Sequence, residues 1–199
     1  MTIGEEKHEQ LGEGVIYRDI VPLGWRVISR EELEFSNLST QDANEEVLRF
    51  IATLDEFHVD AQDEHGSGAG SELGRIEFKI NLLLDMVTRL VVRDTVMPES
   101  VPITLGSAGI EWVSATPPQE GELLELSLYL HLKYPRPLKV IGEVKQVRSP
   151  GGIDRSYLIH LRYETMSDTV QSGLEKLIFR QHRRSIAQLR RGSRSSDED

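Results

Sequence analysis

Leu73, Ile76, Ile80, Leu83, Val87 and Leu90 recur at alternating steps of three and four. That spacing keeps one apolar stripe along one side of a helix and predicts a heptad seam facing a partner. About three heptads lie near the lower limit for a coiled coil, so the seam needs support from elsewhere in the molecule. Two readings are open at this point: an amphipathic helix laid on its own domain, or a helix of assembly. Leu84 and Val91 flank the seam, and Leu82 and Met86 broaden it further. A face that wide asks for more than one neighbouring helix, so the chain is expected to form a homo-oligomer.

At 199 residues the chain has room for one sizeable domain or two small ones. Its hydrophobic fraction of 38% is low for a globular protein and its charged fraction of 28% slightly high, which implies a folded core with solvated helix or tail attached. There is no cysteine, which excludes a disulfide framework, a thiolate metal site and a cysteine nucleophile together. The N-terminal MTIGEEKHEQ is charged where a signal peptide needs an apolar run, and INLLLDMVTRLVV is broken by Asp85 and Arg89 short of a membrane span. The expectation is a cytoplasmic protein without membrane insertion. The net charge of −10 is uneven: residues ahead of the seam carry about −12, whereas Lys176 to Arg194 is strongly positive. The acidic balance argues against nucleic acid as a ligand and leaves room for a local phosphate contact on the basic helix.

Residues 1–14 read as a disordered arm, since apolar periodicity is almost absent there. From Val15 to Leu33, short apolar groups alternate with charges around Pro22 and Trp25, which predicts an extended segment. A helix capped by Ser39 or Thr40 follows, with Val47, Phe50, Ile51, Leu54 and Phe57 on one face. With the seam it makes a helical hairpin or coiled-coil insertion over about 39–96, joined by the glycine-rich AQDEHGSGAGS. Beyond Pro98 the period changes to two. Leu124, Leu126, Leu128, Leu130 and Leu132 alternate with Glu125, Ser127, Tyr129, His131 and Lys133, predicting one long half-buried strand. GIEWV, PLKVIGEVKQVR and RSYLIHLRYE predict three more strands, the last two parted by a turn at SPGG, 149–152. Antiparallel strands without intervening helices imply a closed barrel over about 99–165. A closing helix over about 169–191 turns Leu174, Leu177, Ile178 and Ile186 inward, and 192–199 read as a disordered tail.

The string SAGIEWVSATPPQEGELLELSLYLHLKYPRPLKVIGEVKQV resembles the middle of a PilZ domain. LEKLIFRQHRR resembles the helix that closes such domains, and IEFKINLLLDMVTRLV the helical insertion of the atypical, oligomer-forming branch. The resemblance spans roughly 15–190, which reads as a single atypical PilZ domain at 15–191. It implies an α+β fold that is mainly β: a six-stranded antiparallel β-barrel with a helical insertion and a C-terminal helix, assembled as a tetramer. It also implies a non-enzymatic adaptor in cyclic di-GMP signalling, with an unidentified protein partner, that governs a surface behaviour such as motility or adhesion.

Ordinary PilZ receptors hold cyclic di-GMP with an Arg-x-x-x-Arg pair and an Asp/Asn-x-Ser-x-x-Gly motif. Guanidinium forks grip phosphates or stack on guanine, and short polar side chains bond the base edge. The second motif aligns here on Thr104, Gly106 and Gly109, where only the final glycine is kept. Arg89 and Arg93 have the arginine spacing but sit on the seam helix as solvated flanks, too close to Gly109 for an intervening strand. Arg180 and Arg184, beside Arg183, share the spacing on the closing helix. They read as a basic face opposite the acidic N-terminal half, or as relocated arginines of a direct cyclic di-GMP receptor. No cofactor is implied beyond that possible ligand. His58, Asp60, Asp63 and His65 lack the fixed spacing of a metal motif, GSGAGS lacks the lysine of a phosphate loop, and no nucleophile elbow is present. His131 and His160 read as strand residues facing solvent or a polar contact.

Overall fold

The computed structural model describes residues 11, 14–60, 74–76, 78–80, 82–83, 86–87, 96–131, 136–149, 156–164 and 166–194; for 35–39, 54–60 and 187–194 it describes the backbone only. Six strands, β1 (Tyr17–Val27), β2 (Ser100–Leu105), β3 (Gly109–Ser114), β4 (Leu123–Leu128), β5 (Leu138–Arg148) and β6 (Tyr157–Tyr163), close an antiparallel barrel in the order β1-β2-β3-β6-β5-β4. A long helix, α1 (Arg30–Asp60), follows β1, and α3 (Asp168–Arg194) follows β6. Between α1 and β2, the described residues 74–76, 78–80, 82–83 and 86–87 are helical and form α2.

The period of two explains the barrel directly. Ile103 and Leu105, Ile110 and Trp112, Leu124, Leu126 and Leu128, and Ile159 and Leu161 all point inward, each 3% exposed or less. The first strand was expected only as an extended segment outside the barrel, and it is in fact a full barrel strand. Arg18 to Val21 pair with β2, whereas Leu23 to Val27 pair with β4, so this one strand seals the cylinder. The fourth strand is shorter than its leucine alternation predicts and ends at Leu128. Its ladder to β5 stops at Leu128 opposite Leu138, just beyond Pro137, which has no N–H to continue it.

The first helix starts nine residues before the expected cap at Ser39. Ser29 accepts from the Glu32 N–H at 3.1 Å, and the Glu32 carboxylate accepts from the Ser29 N–H at 2.8 Å, a reciprocal capping box. That backbone bond, and after it Arg26, hold the Glu32 carboxyl below the ordinary carboxylate range. Farther on, buried Asn44 spends its whole amide on one backbone position of β5. It donates to the Lys139 carbonyl at 2.6 Å and accepts from the Lys139 N–H at 2.9 Å. The closing helix is capped by Ser167, whose hydroxyl accepts from the Val170 N–H, and the Ser167 N–H in turn donates to Gln41. Val47, Leu48 and Ile51 of α1 join Val170, Leu174, Leu177 and Ile178 of α3 in the same core as the barrel. Ile186, expected inward, is 38% exposed, beyond the reach of that core.

Glu125 was expected on the solvent side of β4 and is instead only 6% exposed. Arg26 reaches both its carboxylate oxygens at 3.3 Å, and Lys139 lies 3.4 Å away. Arg26 also bonds Glu32 at 3.1 Å, so one guanidinium ties β1, β4 and the first turn of α1.

Replacing Asn44 by Ala leaves the Lys139 amide and carbonyl unpaired at a buried site. Urea unfolding is expected to show a loss of roughly 1–3 kcal/mol. Glu46→Ala removes only an exposed pair with Arg136 and is expected to change stability by less than about 0.5 kcal/mol.

Candidate functional site

The aligned motif residues fall in and around the β2–β3 turn, and each has a different local fate. Thr104, on β2, faces the outer wall. Strand register places Arg18, Thr104, Glu111, His160 and Gln146 in one polar row across β1, β2, β3, β6 and β5, with a bulge between Val144 and Gln146. A second row, Ile20, Pro102, Val113 and Leu158, runs beside it and is apolar. Residues of both rows line a cleft of about 360 Å³.

Gly106 lies in the turn, with its N–H donated to the Gly109 carbonyl at 2.9 Å. A side chain at this position would run into the carbonyl oxygen and Cβ of Leu11, far inside contact distance. Leu11 belongs to the arm expected to be disordered, yet it is only 3% exposed, and its carbonyl accepts from the Ala108 N–H at 3.0 Å. Gly109, the retained glycine, is explained by packing: a Cβ there would stand 2.6 Å from the Leu161 carbonyl and 3.3 Å from the His160 ring. Its presence therefore reports the approach of β6.

On the other flank of the turn lies a polar cleft of about 620 Å³ lined by Ser107, Ala108, Glu143, Lys145, Arg162, Tyr163, Glu164, Met166, Asp168 and Gln171. Burial pushes the Tyr163 hydroxyl well above its ordinary range, and among the described residues the hydroxyl has no hydrogen-bond partner. Arg180, Arg183 and Arg184 line neither cleft. Arg180 and Arg184 are half-buried and partnered, and the exposed Arg183 lies 6.0 Å from the centre of the Phe179 ring. Arg89, Arg93, Asp63, His65 and the turn residues 150–152 lie outside the described residues, as do the side chains of His58, Asp60, Arg190 and Arg191. Among the described residues no group of three or more His, Cys, Asp or Glu is placed to hold a metal ion, and no helix is long and apolar enough to cross a membrane.

Of the seam, Ile76, Ile80, Leu83 and Val87 are described and are 51–61% exposed; Leu73 and Leu90, with Leu84 and Val91 beside them, lie outside the described residues. Phe78, Leu82 and Met86 are exposed as well. The reading in which this helix lays its seam on its own domain fails for those four residues.

A family model described as "Atypical PilZ domain, cyclic di-GMP receptor" matches residues 48–191. The chain belongs to the atypical PilZ family. No curated protein matches it. Among solved structures it is similar to a tetrameric PilZ protein of Xanthomonas campestris, described as self-assembled through an unusual helical bundle. The TM-score is 0.69 at 21% identity over 93% of this chain and 97% of that one. A second similarity, to an inhibitor of motility from Bacillus subtilis, has a TM-score of 0.36 at 20% identity over 44% of this chain and 42% of that one.

Two residues now stand beside the PilZ motif: Glu111, which sequence reasoning missed, and His160, which it read as facing solvent or a polar contact; they are an opposed pair 6% and 5% exposed. Burial lowers the His160 pKa from its usual value; the facing Glu111 opposes that shift, and Arg148 adds to it. The unfolded chain therefore takes up a proton near the ordinary histidine pKa that the folded one still refuses, and stability falls as the pH drops below about 6.5. The melting temperature is expected to be lower at pH 5.5 than at pH 7.5, and His160→Gln is expected to narrow that difference.

Gly109→Ala is expected to destabilise the barrel by roughly 1–3 kcal/mol in urea, without any ligand present.

Proposed function

We propose that this PilZ protein is an oligomeric, non-enzymatic adaptor in the cytoplasm that works in cyclic di-GMP signalling through contacts with another protein. The observation that carries this reading is the chemistry of the β2–β3 turn. Thr104 stands where a receptor has a carboxylate or amide, and Gly106 stands where it has a serine. A guanine edge buried against that turn leaves donors and acceptors unpaired, each costing about 1–3 kcal/mol. Arg180, Arg183 and Arg184 of α3 support an electrostatic docking surface more than a nucleotide clamp, because they line neither of the two clefts beside the motif turn. The alternative, a direct receptor using Arg180, Arg183 and Arg184, draws its support from the description of the matching family model.

Assembly through α2 is part of the same proposal. Seven of its apolar side chains, from Ile76 to Val87, are at least half exposed in the single chain. Apolar side chains exposed in such number on one helix call for burial against other copies. The similar Xanthomonas protein is described as a tetramer built on a helical bundle, and we propose the same state here.

Isothermal titration of the purified protein with cyclic di-GMP is expected to show weak binding or none; stoichiometric micromolar binding would establish the receptor reading. Light scattering is expected to give a tetramer for the wild type and smaller species for the double substitution of Ile80 and Leu83 by Glu, which places unpaired charges in the seam at a cost of several kcal/mol.

A further inference from the structure

We infer that the β2–β3 turn is closed by the chain's own Leu11, which acts as a latch, with Gly106 as the seat that admits it and Gly14 as a backbone bend between the latch and β1. Leu11 is only 3% exposed, although the sequence around it is acidic and otherwise nearly without apolar residues. Its carbonyl takes the Ala108 N–H at 3.0 Å, while the Ala108 carbonyl takes the Tyr163 N–H at 3.0 Å, so this one residue is held between the latch and β6. The fit depends on the absence of a side chain at Gly106, where any Cβ would collide with Leu11 backbone and not with a flexible side-chain tip. Gly14 has φ of +144°, which side chains disfavour, and nothing lies within 4 Å of where its Cβ would be. Glycine is needed there for the backbone bend alone, three residues from Leu11 and three from the start of β1.

The consequence is that the turn is not freely accessible. Anything that binds the Gly106–Gly109 turn from the side of Leu11 must first displace Leu11, so docking of the latch and of an external ligand exclude one another. This holds whether the protein is an adaptor or a receptor, because it concerns access to the turn and not the chemistry of what arrives.

Amide hydrogen exchange on the full-length protein tests the latch. Leu11→Asp removes the buried side chain, Gly106→Ala blocks the seat, and Gly14→Ala strains the bend without touching the turn. Each is expected to speed exchange at Ala108 roughly tenfold, the effect of freeing one hydrogen-bonded amide, while Ile110 and Leu161 keep wild-type protection. Unchanged Ala108 exchange in Leu11→Asp and Gly14→Ala would overturn the proposal. So would equal loss of protection at Ala108, Ile110 and Leu161 in those two variants, since Leu11 would then be a support of the barrel as a whole.

Discussion

The barrel exists because a single strand pairs on both sides of the gap. Over its 11 residues β1 pairs first with β2 and then with β4, changing partners around Pro22. Proline fits that point because its missing N–H falls where one ladder ends and the next begins. The flanking groups find other partners: Leu23 N–H donates to the Glu99 carbonyl, and the Pro22 carbonyl accepts from Tyr129. Closure leaves no open edge to template further strands, so contacts between copies fall to the helices and outer walls. It also fixes what lies at each end of β1. The start lies next to the motif turn, where Leu11 docks, and the finish supplies Arg26, which meets Glu125 of the barrel and Glu32 of α1.

The buried carboxylate shows how this closure is reinforced. Glu125 sits on the outer wall of β4, with oxygens shared between Arg26 on one neighbouring strand and Lys139 on the other. Both cations are half exposed and keep water on their far sides, so the desolvation cost falls mainly on the carboxylate. Lys139 is also the residue whose backbone Asn44 holds. Lys139 thus belongs to both the side-chain clasp on the outer wall and the dock of α1, which couples helix placement to barrel closure.

The strands β3 to β6 were legible because alternation of period two survives wherever one face is buried, as in GIEWV and in ELLELSL, whereas β1 was read only as an extended segment and β2 was not read as a strand. The end of β4 was not legible: the leucines run on to Leu132, but a strand needs a partner as well as a pattern, and β5 begins only after Pro137. The start of α1 was written in Ser29 and Glu32 and masked by the strand-like residues before it. The motif positions could be aligned, yet what becomes of them is set by distant segments. Leu11 reaches Gly106 and β6 reaches Gly109, and no local pattern announces either approach. Glu111, and the burial of its pair with His160, were hidden for the same reason, since burial on an outer wall depends on neighbours across three strands.

The geometry of α2 bears on how many copies assemble. At about 100° per residue, Ile76, Ile80, Leu83 and Val87 lie within one stripe, and Phe78, Leu82 and Met86 lie on a second stripe roughly 130° round the helix. A two-stranded pairing through the seam covers the first stripe and leaves the second in water, with Phe78 68% and Leu82 50% exposed. Arg75 and Lys79 run along the second stripe, and their aliphatic stems can pack on apolar neighbours while their charges stay wet. Such a helix has one dry face and one mixed face, and both are satisfied only where it touches two neighbours at once. A simple pair does not supply that arrangement and a bundle of three or more copies does, a condition that the proposed tetramer meets.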